Sequence, residues 1–401
     1  MLKVTLGICF IVVSLLLCLP AAAQENANPL LDMLKLVPDN EQTRAGVPLV
    51  SYADYRAIEA GRGIETPPTK ADFDNRTDTA GLWIAATNGV SSGMQLSYFI
   101  QYLEGMEQAV GFSWFDIDRA LVFGQPPSMG NILTGDFDAD AIASAFKARE
   151  FTAENQDDVM VWCGPKGCDN GLRQNLANRN PANPFGGQFG REEPVAILPD
   201  AIANSADYAV LSAILKANQG EQPSLADDPN VQAAANVIAG KGTLRQAQFF
   251  NGADVGSYGD MVATEGEQPE FLPMYSLAFF ADTYDGEEQI ALVGLVYDDE
   301  ESAKIASALL VDHLQMAESM RMQRPFLEII EERGGQITGA TVETDAATGK
   351  FIALLDIRYP MPRNIKQDTG YPASSLIFKL LIDSVYTRDA SWLAADFDMP
   401  K

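Results

Sequence analysis

The sequence predicts an α+β protein of two units, each an antiparallel sheet covered by helices. Three observations predict it. Short apolar runs alternate with segments of helical spacing, two hairpin signals join strand pairs in the second half, and one alanine-rich helix motif occurs in both halves. At 401 residues, with 47% hydrophobic and 21% charged side chains, the chain has the length and composition to bury two cores.

Taken in order, residues 1–23 read as a secretory signal peptide. Lys3 supplies the basic start, Val12 to Leu19 the apolar run, and Ala21-Ala22-Ala23 a small-residue cleavage site before Gln24. The run is short for a bilayer span and no later segment matches one, so the mature product is expected to be soluble and extracytoplasmic, secreted or held at the cell surface. Lipid attachment at Cys18 finds little support, because Leu15-Leu16-Leu17 precedes it rather than a small residue.

Residues 24–80 read as an irregular lead-in with short helices. Leu30 to Val37 is amphipathic and stops at Pro38; Tyr52, Tyr55 and Ile58 recur at helical spacing; Thr66 to Thr79 looks like a connector. Residues 81–240 then form the first α+β unit. Leu82 to Ala86 reads as a strand, Met94 to Val110 as a helix, Ala120 to Phe123 and Asn131 to Leu133 as strands, Asp138 as the cap of a further helix, and Val159 to Trp162 as a returning strand. The order β-α-β-β-α-β is the ferredoxin-like arrangement.

Residues 241–401 form the second unit. Ser276 to Ala281 and Gln289 to Tyr297 pair across Asp285-Gly286, and Ala340 to Thr344 pairs with Lys350 to Tyr359 across a loop containing Gly349. Helices at Glu300 to Met322 and Ser374 to Tyr386 should cover one face. Asp140 to Phe146 and Ala303 to Leu309 echo each other, each after an apolar strand and an acidic helix start; an internal duplication would account for both.

Charge narrows the function. With 55 acidic against 28 basic side chains, a net charge of −27, the surface repels nucleic acid and anionic lipid. Export removes Cys9 and Cys18 and leaves Cys163 and Cys168, for which one disulfide is the expectation. Trp162-Cys163-Gly164-Pro165 resembles the start of the thioredoxin active-site sequence, but four residues separate the cysteines and no amphipathic helix follows, so a structural bond is expected.

Gly89-Val90-Ser91-Ser92-Gly93 fits the nucleophile-elbow pattern and makes Ser91 the one nameable nucleophile. The single histidine, His313, falls within a helix beside Leu310 and Leu314, where a structural role is expected over that of a triad base. One histidine and a committed cysteine pair leave no zinc set. Asp136, Asp138 and Asp140 begin like a calcium loop, but Ala141 replaces its glycine and Lys147 its glutamate; helix capping suits Asp136 and Asp138 better, as it suits Asp298 to Glu301. No phosphate-cradling glycine pattern occurs. No cofactor and no metal are expected.

Leu36-Val37-Pro38-Asp39, Ser51 to Tyr55, Gly111 to Asp118 and Ser224 to Asp228 resemble segments of an uncharacterised family of secreted bacterial proteins. The resemblance implies export and supplies no activity. The expected function is a non-enzymatic extracytoplasmic binding or interaction protein, with a protein or small-molecule partner. A secreted serine hydrolase using Ser91 and a structural cell-surface component are the alternatives.

Overall fold

The computed structural model describes residues 28–75, 77–87, 90, 100–156, 158–257 and 271–396. The expected signal peptide, the cleavage site at Gln24, Ser91 and the start of the helix expected from Met94 lie outside these residues. Strands in chain order are β1 (Val50–Asp54), β2 (Ile117–Phe123), β3 (Gly130–Gly135), β4 (Thr152–Gln156), β5 (Val159–Cys163), β6 (Val195–Ile197), β7 (Ile202–Ser205), β8 (Thr243–Asn251), β9 (Leu272–Pro273), β10 (Leu277–Tyr284), β11 (Glu288–Tyr297), β12 (Glu318–Ser319), β13 (Arg324–Pro325), β14 (Gln336–Asp345), β15 (Lys350–Pro360) and β16 (Ala395–Asp396).

Twelve of these strands make one sheet, in the order β14-β15-β11-β10-β8-β1-β2-β3-β7-β6-β5-β4. Every neighbouring pair is antiparallel. Helices cover both faces. On one face Pro29–Leu34, Tyr208–Asn218 and Pro229–Ala239 bury Leu34, Leu211, Ile214 and Val231 against Leu121, Phe249, Phe279 and Leu354 of the strands. On the other, Glu300–Met316 and Leu376–Tyr386 cover Phe280, Leu295 and Leu355, while Leu103–Val110 and Ala139–Ala148 cover Ala120, Leu133 and Trp162. Full burial of each large apolar side chain contributes about 1.5–3 kcal/mol.

Helix starts are set by aspartates. Asp54, Asp138, Asp207, Asp228 and Asp299 each accept a backbone N–H of the first turn of the following helix, satisfying donors that would otherwise be orphaned. The capping role read for Asp138 and for the Asp298 to Glu301 run is therefore seen at Asp138 and Asp299. Gly111 closes Leu103–Val110 at φ +81, and a Cβ there would stand 2.4 Å from the Ile142 backbone, so the two helices on that face meet only because the residue is glycine.

The α+β class holds, but the arrangement inside it differs from the expectation. Leu82 to Ala86 is not a strand; it belongs to the helix Thr77–Thr87. Short apolar runs fit a strand and a buried helix equally, and here Trp83 packs edge-on against Phe73 and donates to Glu59, a helix-to-helix contact. The ferredoxin-like order read for the first unit thus loses its first strand. The lead-in instead supplies β1, whose five residues are all buried between β2 and β8 at the middle of the sheet. Tyr52 lies in that strand and Tyr55 and Ile58 in the helix Tyr55–Gly61, so their even spacing spans a strand-to-helix junction.

Within the residues expected to form a connector, Lys70–Asn75 is helical. The helix from Glu300 ends at Met316 instead of Met322, and β12 and β13 form a small hairpin beyond it. Its turn is tied down by buried Asp389, which accepts from Ser319 Oγ at 2.6 Å and Met320 N at 2.8 Å.

Candidate functional site

A cleft of about 1340 Å3 opens on the face carrying Pro29–Leu34. That volume exceeds the roughly 300–1,000 Å3 of common small-molecule sites. Its floor is the end of β2 and β3, contributing Arg119 and Thr134; its walls are the first helix, the β6–β7 turn at Leu198 to Ala201, and the segment Ala217 to Asp227.

Two segments that carried the family resemblance build one wall together. Leu225 N donates to Val37 O at 2.8 Å and Asp39 N to Pro223 O at 2.9 Å, with Pro38 and Ser224 bridged between them. Asp227 accepts from Ser224 N at 2.8 Å and Ser224 Oγ at 2.9 Å, fixing the turn. Arg44 adds a clamp behind it, pairing with Asp39 at 2.6 Å and also with Asp228. The opposite rim is held by Leu198 N donating to Ala201 O at 2.8 Å. A wall with its backbone groups paired inside the protein is held in one shape.

At the floor, Arg119 Nε donates to Asp54 Oδ2 at 2.7 Å. Burial is the largest influence and opposes the guanidinium charge, but Asp54, Tyr52 and Asp118 together outweigh it and the Arg119 pKa is raised. Thr134 Oγ1 is buried with no hydrogen-bond partner among the described residues. The rest of the lining is mixed: Met33, Leu36 and Leu198 are apolar, Lys35 pairs with Asp32 at 2.8 Å, and Asp200 and Glu221 add carboxylates. Such a surface has the mixed apolar and polar character of a small-molecule site. Its one hydroxyl–carboxylate pair, Ser224 with Asp227, has no imidazole in the lining to serve as base.

The residues singled out from sequence are dispersed. His313 sits one turn before the end of the helix Glu300–Met316, and its carbonyl accepts from Ala317 N at 2.9 Å; Ser91 lies outside the described residues, so their separation is not defined. Cys163 ends β5, and its sulfur stands at disulfide distance from Cys168, with Cα atoms 4.7 Å apart and both residues buried. Glu154 lies close to the two sulfurs, but sulfurs committed to each other are poor metal donors.

A second polar constellation is internal. Arg245 Nη2 donates to Asp282 Oδ1 at 2.5 Å and Gln289 Oε1 at 2.8 Å, Tyr359 OH donates to Asp282 at 3.1 Å, and the Ser375 hydroxyl donates to Asp282. Arg245 and Asp282 are both fully buried. Burial pushes the Tyr359 hydroxyl well above its usual range, and Asp282 adds to the effect. This network joins β8, β10, β11 and β15 to the approach to the last long helix.

Sequence reasoning missed the cleft because five distant segments line it. The available signal was the pair Leu36 to Asp39 and Ser224 to Asp228, whose mutual hydrogen bonds no spacing rule exposes.

No family model matches the chain, and no curated protein matches it. Among solved structures, crystal form I of the treponemal protein TP0453 is similar at 8% identity with a TM-score of 0.32, covering 89% of this chain and 98% of that one. Crystal form III is similar at 7% identity with a TM-score of 0.31, covering 82% and 93%. Overlap at this level carries no argument about function. Among the described residues, no helix is long and apolar enough to cross a membrane.

Proposed function

We propose that this chain is an exported, non-enzymatic binding protein whose cleft takes a small molecule with an apolar body and a polar end. The carrying observation is the cleft itself: about 1340 Å3, floored by Arg119 and Thr134 and walled by segments bonded to one another. Export rests on the signal-peptide pattern of residues 1–23, and the buried cysteine pair suits an oxidising compartment. A division into units near residue 240 and an origin by duplication remain compatible with the matching places of the helices Ala139–Ala148 and Glu300–Met316, each of which follows an antiparallel strand pair on the same sheet face.

The test is a thermal-shift screen of amphipathic small molecules followed by calorimetry on wild type and Asn218→Trp. Asn218 is an exposed cleft residue, so an indole there fills the mouth without entering the core. Wild type should bind at least one compound saturably, and the variant should lose roughly tenfold or more in affinity at unchanged circular dichroism. Equal binding by both proteins would remove the cleft from the account.

A further inference from the structure

On the opposite sheet face, a separate pocket of about 500 Å3 lies between Leu103–Val110, the end of Ala139–Ala148 and the loop that joins β5 to β6. Two arginines line it, in a chain whose net charge is −27. Arg149 has no ion pair among the described residues: it donates to Ala109 O at 2.8 Å and lies over the rings of Phe151 and Phe146, 4.8 and 5.6 Å from their centroids. Burial lowers its pKa, and the nearby Glu192 restores only part of that loss. Arg191 lies 5.0 Å over the ring of Phe189, and its Nε is buried with no hydrogen-bond partner.

The carboxylates nearby leave both guanidiniums with unmet demand. Glu193 Oε1 stands 3.7 Å from Arg191 Nη1, while its other oxygen accepts from Asn204 at 2.9 Å, so this pair leaves the Arg191 Nε without a partner. Glu192 receives a 3.4 Å bond from Asn178. A guanidinium over a phenyl ring retains in-plane N–H groups, and those not already spent on Ala109 O or facing Glu193 can bind an oxyanion through charge-assisted hydrogen bonds. Around them the loop presents the amides of Asn178 and Asn180, with Gln108 from the facing helix, while the Asn183 amide is spent on the Phe185 backbone and shapes the loop.

The loop is built rather than loose. Asn180 N donates to Gly187 O at 2.9 Å, Asn175 N to Phe189 O at 3.1 Å and Arg191 N to Gly186 O at 3.1 Å. Gly190, at φ +60, lies where a Cβ would fall 1.8 Å from Asn175 O. The Asn/Pro/Gly-rich composition between Asn175 and Gly190 thus serves a tight cradle.

We infer that this pocket is a binding site for a small hydroxylated oxyanion, a sugar acid or a sugar phosphate, with the anionic group on Arg149 and Arg191 and the hydroxyls on the surrounding amides. Repulsion by the acidic surface makes such a site costly to reach without paired guanidiniums, so the selectivity lies in those two residues.

The probes are gluconate and glucose 6-phosphate, titrated calorimetrically into the intact mature protein, with glucose and potassium chloride at matched ionic strength as controls. At least one anion should bind saturably, roughly tenfold or more tighter than glucose, and Arg191→Gln should weaken it by at least about tenfold. Binding by only one of the two anions identifies the head group. Because Arg149 also packs the core, its test uses wild type: saturating anion should protect Arg149 and Arg191 from phenylglyoxal, read by peptide mapping. Absence of saturable binding by either anion, equal affinity for glucose, an Arg191→Gln variant that binds undiminished, or modification of both arginines unchanged by the anion would each overturn the inference.

Discussion

Glu193 shows how a single side chain records its surroundings. Burial dominates, so the carboxyl titrates at about 7 instead of 4.5, despite Arg191 and Asn204 beside it. Between those pH values the unfolded chain has released its proton while the folded one has kept it, so stability falls as pH rises from about 4.5 to about 7 and is level above. The loss amounts to about 3 kcal/mol. Glu193→Gln should therefore flatten the stability profile across that window and match or exceed wild type above it. Urea denaturation at a series of pH values measures this, and a variant with the wild-type slope would refute it.

Asp282 makes the complementary case, since its charge is needed. Asp282→Ala leaves the Arg245 guanidinium buried without its carboxylate, and breaking a buried pair from one side costs about 3–5 kcal/mol. Arg245→Met with Asp282→Leu should recover most of that loss in chemical denaturation. A double variant as unstable as the single would mean the network supplies stability beyond the pair.

At the scale of elements, local signals were legible wherever they were complete. Asp285-Gly286 announced the β10–β11 hairpin, Asp138 announced its helix, the apolar runs of β10 and β11 were readable as strands, and the Gly349 loop marked the β14–β15 pair. Legibility failed where tertiary packing decides. Val50 to Asp54 is too short to declare itself, and only pairing with β2 and β8 makes it a strand. Leu82 to Ala86 carried strand-like residues, but Trp83 and its partners Phe73, Phe115 and Glu59 settle it as helix.

The cysteine pair belongs to this scale too, because it ties the end of β5 to the loop of the arginine pocket. Replacing Cys163 and Cys168 by serine should lower stability by about 2 kcal/mol in the chain-entropy model. Free-thiol labelling of the denatured, unreduced wild type should find no reactive cysteine. Turnover in an insulin-reduction assay would restore the redox reading that the sequence argued against.

At the scale of the whole molecule, twelve strands of the described residues form one continuous sheet with β1 and β8 side by side at its middle, and the cleft and the arginine pocket lie on opposite faces of it. None of that layout was legible from one sequence. The two phrases that zip the cleft wall lie far apart along the chain, and the floor comes from strand ends between them. The proposed export rests on the pattern of residues 1–23 alone: N-terminal sequencing of the product should read from Gln24, and retention of Met1 would remove that part of the account.

The most direct test is a crystal structure of the mature protein with the tightest compound from the amphipathic screen. The account predicts density in the cleft, the apolar body against Met33, Leu36 and Leu198 and the polar end toward Thr134 and Arg119. A cleft holding only solvent while the compound sits elsewhere would contradict it.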